Sequence, residues 1–183
     1  FAVGALENAL GEITIFDGEF FISYGKTGTS KVFKNVPNNT KAMLLASMKP
    51  KVFTKPFVLD EVMLDLDFYD FVAQYAVTQN INTSKPFMFI AKGSFEDVTW
   101  HIVNGKNTKI PQDGSKQKIM QKVFSTDKKA EGTVFGFFTL GKQGIFTHPG
   151  DAYHAHFISK DGLKAGHIDD FSISKNTTLI LGQ

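Results

Sequence analysis

Three of the five histidines lie close together in the sequence, in a pattern that suits metal binding. His154 and His156 lie two residues apart in segment 153–159, whose composition predicts a strand, so both side chains point to one face. Asp161-Gly162 predicts a two-residue hairpin turn, and that turn places His156 directly opposite His167. Opposite residues in an antiparallel pair have Cβ atoms about 5 Å apart. The register therefore gathers the three imidazoles into a triangle.

Three neutral imidazoles with an open fourth position are typical of a catalytic zinc site, and Mn, Fe or Ni would accept the same ligands. In the predicted register Asp169 lies opposite His154, where it or a backbone carbonyl could orient one ring. The alternative is that these histidines are ordinary polar residues of an exposed strand. His148, which precedes Pro149-Gly150, is expected on a surface loop, with a position at the edge of the site as its alternative.

Composition excludes several other kinds of site. The 183 residues contain no Cys and no Arg, so all 20 basic residues are Lys. Thiolate metal sites, disulfides, thiol nucleophiles and guanidinium clamps are therefore absent from this chain. A net charge of +2 is too close to neutral for a protein that binds nucleic acid through a basic face.

No apolar run approaches the roughly 20 residues of a membrane span, so we expect a soluble protein with no membrane partner. The chain begins at Phe1, which fits either a removed signal peptide or a trimmed chain. The compartment therefore stays open: cytoplasmic, or exported after signal-peptide removal.

The segments around the histidines predict one helix and many strands. Asp17-Gly18 predicts a hairpin between residues 13 and 24, and Asp60 is expected to cap a helix that continues to about residue 75. Further strands are expected at 87–91 and 95–103, and residues 104–117 read as a long polar loop or a seam between two halves. The short strands that follow predict an antiparallel barrel or sandwich.

The histidine block resembles the acetolactate decarboxylase family. Its C-terminal signature is His-x-His-Phe-Ile-Ser/Thr, then a short hairpin, Gly-Gly-His and an Asp-Phe pair. Here residues 154–159 read His-Ala-His-Phe-Ile-Ser, and residues 165–171 read Ala-Gly-His-Ile-Asp-Asp-Phe. The eleven-residue step between the second and third histidines also matches. Upstream segments 10–18, 89–98 and 131–137 resemble family segments in the same order, so the resemblance spans essentially the whole chain.

The resemblance implies a fold and a set of roles. The fold class is α+β, with an N-terminal mixed β-sheet and one or two helices in residues 1–105. Residues 106–183 would form a C-terminal antiparallel β-barrel that bears the metal site on its outer surface, and the family is commonly dimeric. His154, His156 and His167 are the expected zinc ligands, and Glu12 is the expected general acid or base.

The implied reaction converts 2-acetolactate, a small 2-hydroxy-3-oxo acid, into acetoin and CO2 through a metal-stabilised enediolate. Glu12 would deliver the proton to that intermediate. His101 falls where the family has an active-site Arg, and it could bind the substrate carboxylate more weakly and with more dependence on pH. Lys26 and Lys92 are the other basic groups considered for that role, and we expect both to be surface residues.

Four departures from the family pattern bear on activity. His101 replaces the Arg, and residues 151–153 stand where the family has only an aromatic residue. The chain ends at Gln183, before the tail that supplies a second acidic residue in the family. Ala165 and Leu10 replace a Gly and an Asp of the family motifs.

These departures leave two alternatives open. One is a divergent enzyme with another metal-dependent activity, such as a hydrolase or an isomerase. The other is a non-catalytic metal- or ligand-binding protein.

Overall fold

The structure is a computed structural model that describes residues 1–25, 29–33, 38–109, 119–140, 147 and 151–183. Within these residues it is mostly β, with two sheets and one α-helix. The strands are β1 (Ala2–Leu6), β2 (Gly11–Phe16), β3 (Glu19–Tyr24), β4 (Thr29–Phe33), β5 (Ala42–Ser47), β6 (Phe57–Val58), β7 (Met63–Leu64), β8 (Phe87–Lys109), β9 (Ile119–Phe138), β10 (Tyr153–Ser159), β11 (Ala165–Ile173) and β12 (Thr178–Gly182). A 3-10 turn covers Glu7–Ala9, and helix α1 covers Asp65–Thr78. No described helix has the length and apolar character needed to cross a membrane.

The first sheet has the strand order β4-β3-β2-β1-β5. The predicted hairpin is confirmed: Phe16 pairs with Glu19, and the turn residues Asp17 and Gly18 have φ values of 49° and 83°. Two positive φ values in succession match a turn whose twist suits a tight hairpin. The expectation of a mixed sheet is wrong, because every described pairing in this sheet is antiparallel. Short connections between successive strands allow only this arrangement.

The second sheet has the order β6-β12-β8-β9-β10-β11-β7, and β11 also pairs with β8. The predicted register is confirmed, since His156 lies opposite His167 in the β10–β11 pair. The closed barrel stays a prediction. The polar segment from residue 104 is not a loop throughout: Asn104 pairs with Gln121 and Lys109 with Ile119, so it continues the β8–β9 hairpin. The expected boundary between residues 105 and 106 therefore falls inside β8, and the division into subdomains stays a prediction.

Helix α1 begins four residues later than the sequence pattern suggests, with Leu64 instead of Asp60 at its capping position. The backbone before it is already bonded elsewhere: Leu59 N–H donates to the Thr177 carbonyl, and Met63–Leu64 pairs with Ser172 and Ile173 of β11. A helix capped by Asp60 would lose these strand contacts. From Asp65 onward the helix buries Phe68, Val72 and Ala76, which recur at the four-residue spacing of one helical face.

The alternating side chains of the second sheet pack in opposite directions. Phe87 and Phe89 belong to the core that contains α1, whereas Met88 and Ile90 pack with Val3 and Phe21 of the first sheet. In β10, Ala155 and Phe157 belong to the α1 core. The intervening His154 and His156 therefore lie on the face toward the first sheet, because successive side chains of a strand alternate between faces.

Candidate metal centre and active site

The three histidines predicted from the hairpin register converge in the structure. One nitrogen from each of His154, His156 and His167 lies within 4.8 Å of the other two. The ring centroids are 5.0 to 5.6 Å apart. His154 and His156 are buried, and His167 is half-buried. We refer to these residues as the histidine triad.

Strand β2 of the first sheet covers the triad and orients one of its rings. Thr14 is fully buried, and its Oγ1 lies 2.7 Å from Nδ1 of His156. If Nδ1 donates its proton to this hydroxyl, Nε2 is the nitrogen left to face a metal, as in sites whose ligand histidine is held by an outer hydrogen bond. Three converging imidazoles of this kind fit a zinc ion, and the same donor set accepts Mn, Fe or Ni.

Glu12, two residues before Thr14 on the same face of β2, is also buried beside the triad. Its Oε1 accepts a hydrogen bond of 3.1 Å from Val103 N–H, and its Oε2 lies 3.9 Å from Nε2 of His156. Burial raises the pKa of Glu12 to about 8, because the effect of burial is larger than the opposing effects of the Val103 hydrogen bond and the Lys122 charge. At neutral pH this carboxyl therefore holds a proton in the metal-free protein.

His101 lies directly beside the triad, where it contacts His167 and Asp169 and is not one of the three converging histidines. It pairs with His167 across the β8–β11 ladder, and the two ring centroids are 4.7 Å apart. His101 is 2% exposed, and its Nδ1 donates to Oδ2 of Asp169 at 2.6 Å. The structure thus places both His101 and Glu12 next to the triad, and their roles stay predictions.

Asp169 is placed differently from the sequence prediction. It was expected opposite His154, but the described β10–β11 ladder ends at the His156–His167 pair. In the β8–β11 ladder Ile168 pairs with Trp100 and Asp170 with Thr99, so Asp169 is the extra residue of a β-bulge. A bulge redirects the side chain of its extra residue. Here it directs the Asp169 carboxylate to His101.

A cavity of about 310 Å³ opens beside two of the triad histidines. His154 and His167 lie in its wall with Asp169, and the other lining residues include Lys122, Asp151 and Tyr153. Lys122 Nζ lies 3.9 Å from Oδ1 of Asp169. Lys122 and Thr14 were not predicted from the sequence. For Thr14 a signal was available, because it shares a strand face with Glu12.

A second cavity, of about 680 Å³, does not include the triad in its wall. Lys92 lines it together with Phe16, Phe21 and Glu131, so Lys92 does not contact the candidate site. Its exposed side chain agrees with the expectation of a surface residue. His148 and Lys26 lie outside the described residues.

A family model described as alpha-acetolactate decarboxylase matches residues 1–182. The chain belongs to the alpha-acetolactate decarboxylase family. A crystal structure of alpha-acetolactate decarboxylase from Bacillus subtilis strain 168 superimposes with a TM-score of 0.74 at 20% identity. The match covers 100% of this chain and 72% of that chain. No match was found among curated proteins.

Two further solved structures show the same alpha-acetolactate decarboxylase fold. Acetolactate decarboxylase from Bacillus subtilis subspecies spizizenii has a TM-score of 0.72 at 20% identity, covering 100% of this chain and 73% of that chain. A Staphylococcus aureus protein of unknown function, described as similar to alpha-acetolactate decarboxylase, has a TM-score of 0.69 at 15% identity, covering 100% and 72%. At these identities the structural matches establish the fold.

Proposed function

We propose that the protein is a metal-dependent decarboxylase that converts 2-acetolactate into acetoin and CO2. One observation supports this more than any other: three converging imidazole nitrogens lie beside a buried carboxyl group whose pKa is raised to about 8. A metal site alone serves many reactions, but a protonated carboxyl beside it supplies the proton that a decarboxylation consumes.

The triad would hold a zinc ion through His154, His156 and His167, with Mn, Fe or Ni as alternatives. When bound, the ion would supply Lewis-acid stabilisation of the negative charge that develops on oxygen. Thr14 keeps the His156 ring in a fixed orientation through its 2.7 Å contact. The buried setting excludes water and strengthens each of these electrostatic contacts.

Glu12 is the proposed proton donor. As the bond between the carboxylate carbon and its neighbour breaks, the electron pair stays on the neighbouring carbon and is shared with the ketone oxygen as an enediolate. A proton delivered by Glu12 to that carbon gives acetoin, and CO2 leaves. A bound cation would lower the pKa of Glu12 from about 8 toward neutrality, where the group exchanges protons most effectively in both directions.

His101, in the position that the family fills with Arg, would act at the substrate's carboxylate end of the site by orienting Asp169. Its ring is fixed by Asp169 on one side and packs on His167 on the other. The test is the activity of His101→Ala on racemic 2-acetolactate. We expect a clear loss of kcat/KM, and unchanged activity would contradict this role.

The deciding experiment is to incubate the purified protein with 2-acetolactate and to assay acetoin with and without a chelator. We expect acetoin that disappears with chelator and returns when zinc is added back. Glu12→Gln should bind zinc like the wild type while losing most of its turnover, since the amide has no acidic proton to deliver. Zinc binding without acetoin formation by the wild type would favour the non-catalytic alternative.

A second candidate function is another metal-dependent activity at the same site. The observation that favours it is the set of residues around the triad. A histidine hydrogen-bonded to Asp169 stands in place of the family Arg, and Lys122 and Asp151 line the cavity. A panel of 2-hydroxy-3-oxo acids and simple esters separates the two candidates, because ester hydrolysis forms no acetoin and would not consume the proton of Glu12.

We also propose that the protein forms a homodimer through the first sheet. Strand β5 is at one edge of the described sheet, and Met43, Leu44 and Leu45 expose 42% to 56% of their surface there. Unpaired apolar edges are sites of strand pairing between copies. Light scattering should show a dimer, and Leu44→Lys should shift it toward monomer.

A further inference from the structure

Lys122 occupies a distinctive position in the candidate site. It projects from β9 into the wall of the 310 Å³ cavity that also contains His154 and His167. Among the residues that the structure describes, it is the only basic residue other than these histidines in that wall. The remaining charged groups there, Asp151 and Asp169, are acidic. An anionic substrate entering this cavity therefore meets one permanent positive charge.

The residue at the family Arg position does not reach this cavity in the same way. His101 is 2% exposed, is not part of the cavity wall, and donates its Nδ1 proton to Asp169. It therefore contacts the cavity through Asp169. The chain contains no Arg, and in the described cavity wall Lys122 is the basic side chain other than histidine that can meet a substrate carboxylate.

Asp169 links the two groups. One of its oxygens accepts the His101 hydrogen bond at 2.6 Å, and the other lies 3.9 Å from the Lys122 ammonium. The first contact fixes the carboxylate, while the second is an ion pair beyond hydrogen-bond length. Lys122 is thus drawn toward the cavity, yet its three N–H donors stay available for a ligand.

The neighbouring strand supports this placement. Lys122 lies opposite Val103 in the β8–β9 ladder, and Val103 N–H holds Glu12. Residues directly opposite share one face of a sheet, and the Val103 side chain packs against Ala5 of the first sheet, so Lys122 projects toward the sheet that carries Glu12. The Lys122 charge lowers the pKa of Glu12, which indicates that the two groups interact.

We propose that Lys122 is the specificity-determining cation of this site and binds the carboxylate of a small 2-hydroxy acid. Asp169 holds the Lys122 side chain, and His101 acts as a positioning residue through Asp169. The inference rests on the proposed function and adds the residue that selects an anionic substrate.

A single ammonium group that is held only by a long ion pair also suits the chemistry of decarboxylation. The carboxylate loses its charge as it becomes CO2, so a cation that binds it stabilises the bound substrate at least as much as the transition state. Its removal should therefore raise KM without lowering kcat. A residue with a purely structural role would lower kcat and stability as well.

The test compares a charged probe with a neutral probe of the same shape. Calorimetry on the zinc-loaded protein measures the binding of 2-hydroxy-2-methylpropanoate and of its uncharged amide. The variants are Lys122→Met, which removes the charge, Lys122→Arg, which keeps it, and the control Lys128→Met on the same strand, whose side chain is 73% exposed.

We expect the loss of one charge-assisted contact to weaken binding of the carboxylate probe at least about tenfold in Lys122→Met. Binding of the amide should stay unchanged, and Lys122→Arg and Lys128→Met should behave like the wild type. The KM for 2-acetolactate should rise by a similar factor. Equal carboxylate affinity in Lys122→Met and wild type, or no carboxylate binding by the wild type, would overturn the inference.

The two levels of proposal fail in different ways. If the wild type forms acetoin and Lys122→Met has an unchanged KM, the decarboxylase assignment stands and the role of Lys122 is wrong. If the wild type binds the carboxylate through Lys122 but forms no acetoin, the anion site stands and the decarboxylase assignment is wrong.

Discussion

Thr14→Val removes one hydroxyl group from the support of the triad and leaves the side-chain shape almost unchanged. Thr14 is fully buried, and its Oγ1 contacts Nδ1 of His156 at 2.7 Å. In the variant the buried imidazole N–H has no hydroxyl to bond. Leaving a buried polar group unsatisfied in this way costs about 1–3 kcal/mol. The metal-free protein should therefore unfold at a Tm about 2–4 °C lower for each kcal/mol lost.

Thr14→Val should weaken zinc binding in addition to lowering the stability of the metal-free protein. Outer hydrogen bonds to metal-bound histidines typically contribute about 10- to 100-fold in metal affinity. The variant should therefore bind zinc about 10- to 100-fold more weakly, and at saturating zinc its stability should fall by an additional 1.4–2.7 kcal/mol or so. The stability loss should accordingly be larger in the zinc-loaded protein than in the metal-free protein.

Competition with a chromogenic chelator gives the zinc affinity, and thermal unfolding with and without zinc gives the two stabilities. The matched control is Thr133→Val, which removes a buried hydroxyl from β9 outside the triad. A zinc affinity of Thr14→Val within about twofold of the control would refute the reasoning, because the loss would then come from burial alone.

Three further predictions concern the same region. Burial raises the pKa of Glu12 from 4.5 to about 8, so between these values the folded metal-free protein keeps a proton that the unfolded chain releases. Its free energy of unfolding should therefore fall by up to about 1.4 kcal/mol for each pH unit between pH 5 and 8. Denaturant titrations across this range should show that component in the wild type and not in Glu12→Gln. Asp169→Asn should lower kcat/KM about tenfold, because it weakens the charge-assisted hydrogen bond to His101. Asp170 is exposed and adjacent in the sequence, so the control Asp170→Asn should change kcat/KM less than twofold in the same initial-rate assays. Gly136→Ala places a methyl group against the backbone carbonyl of His154, so it should destabilise the fold by several kcal/mol in denaturant unfolding, and near-wild-type stability would contradict the described β9–β10 approach.

The triad was predictable from the sequence because its geometry is local. Two histidines two residues apart share a strand face, and the Asp161-Gly162 turn determines that His167 lies opposite His156. The turn-linked pair spans only a dozen residues. Turn chemistry and strand alternation were therefore sufficient to predict that the three histidines converge.

Contacts between the sheets were not predictable in this way. Thr14 and Glu12 approach His156 from about 140 residues away in the sequence, and their distances depend on how the first sheet packs on the second. The start of α1 is similar, because the pairing of Met63 with Ile173 decides where the chain stops being extended. Local propensity favoured an earlier helix, and tertiary pairing outweighed it.

The bulge at Asp169 shows how a one-residue irregularity redistributes roles in this site. Without the bulge the alternation of β11 would place Asp169 and His167 on one face, with Asp169 opposite His154. With it, the carboxylate bonds His101 and faces Lys122. In the proposed arrangement, this protein without arginine places a cation beside the histidine triad by means of Lys122, His101 and the acid that connects them. Lys122 would supply the charge, and His101 would hold Asp169 in place. Changing either residue should therefore affect a different kinetic quantity: KM with unchanged kcat for Lys122, and kcat together with stability for His101.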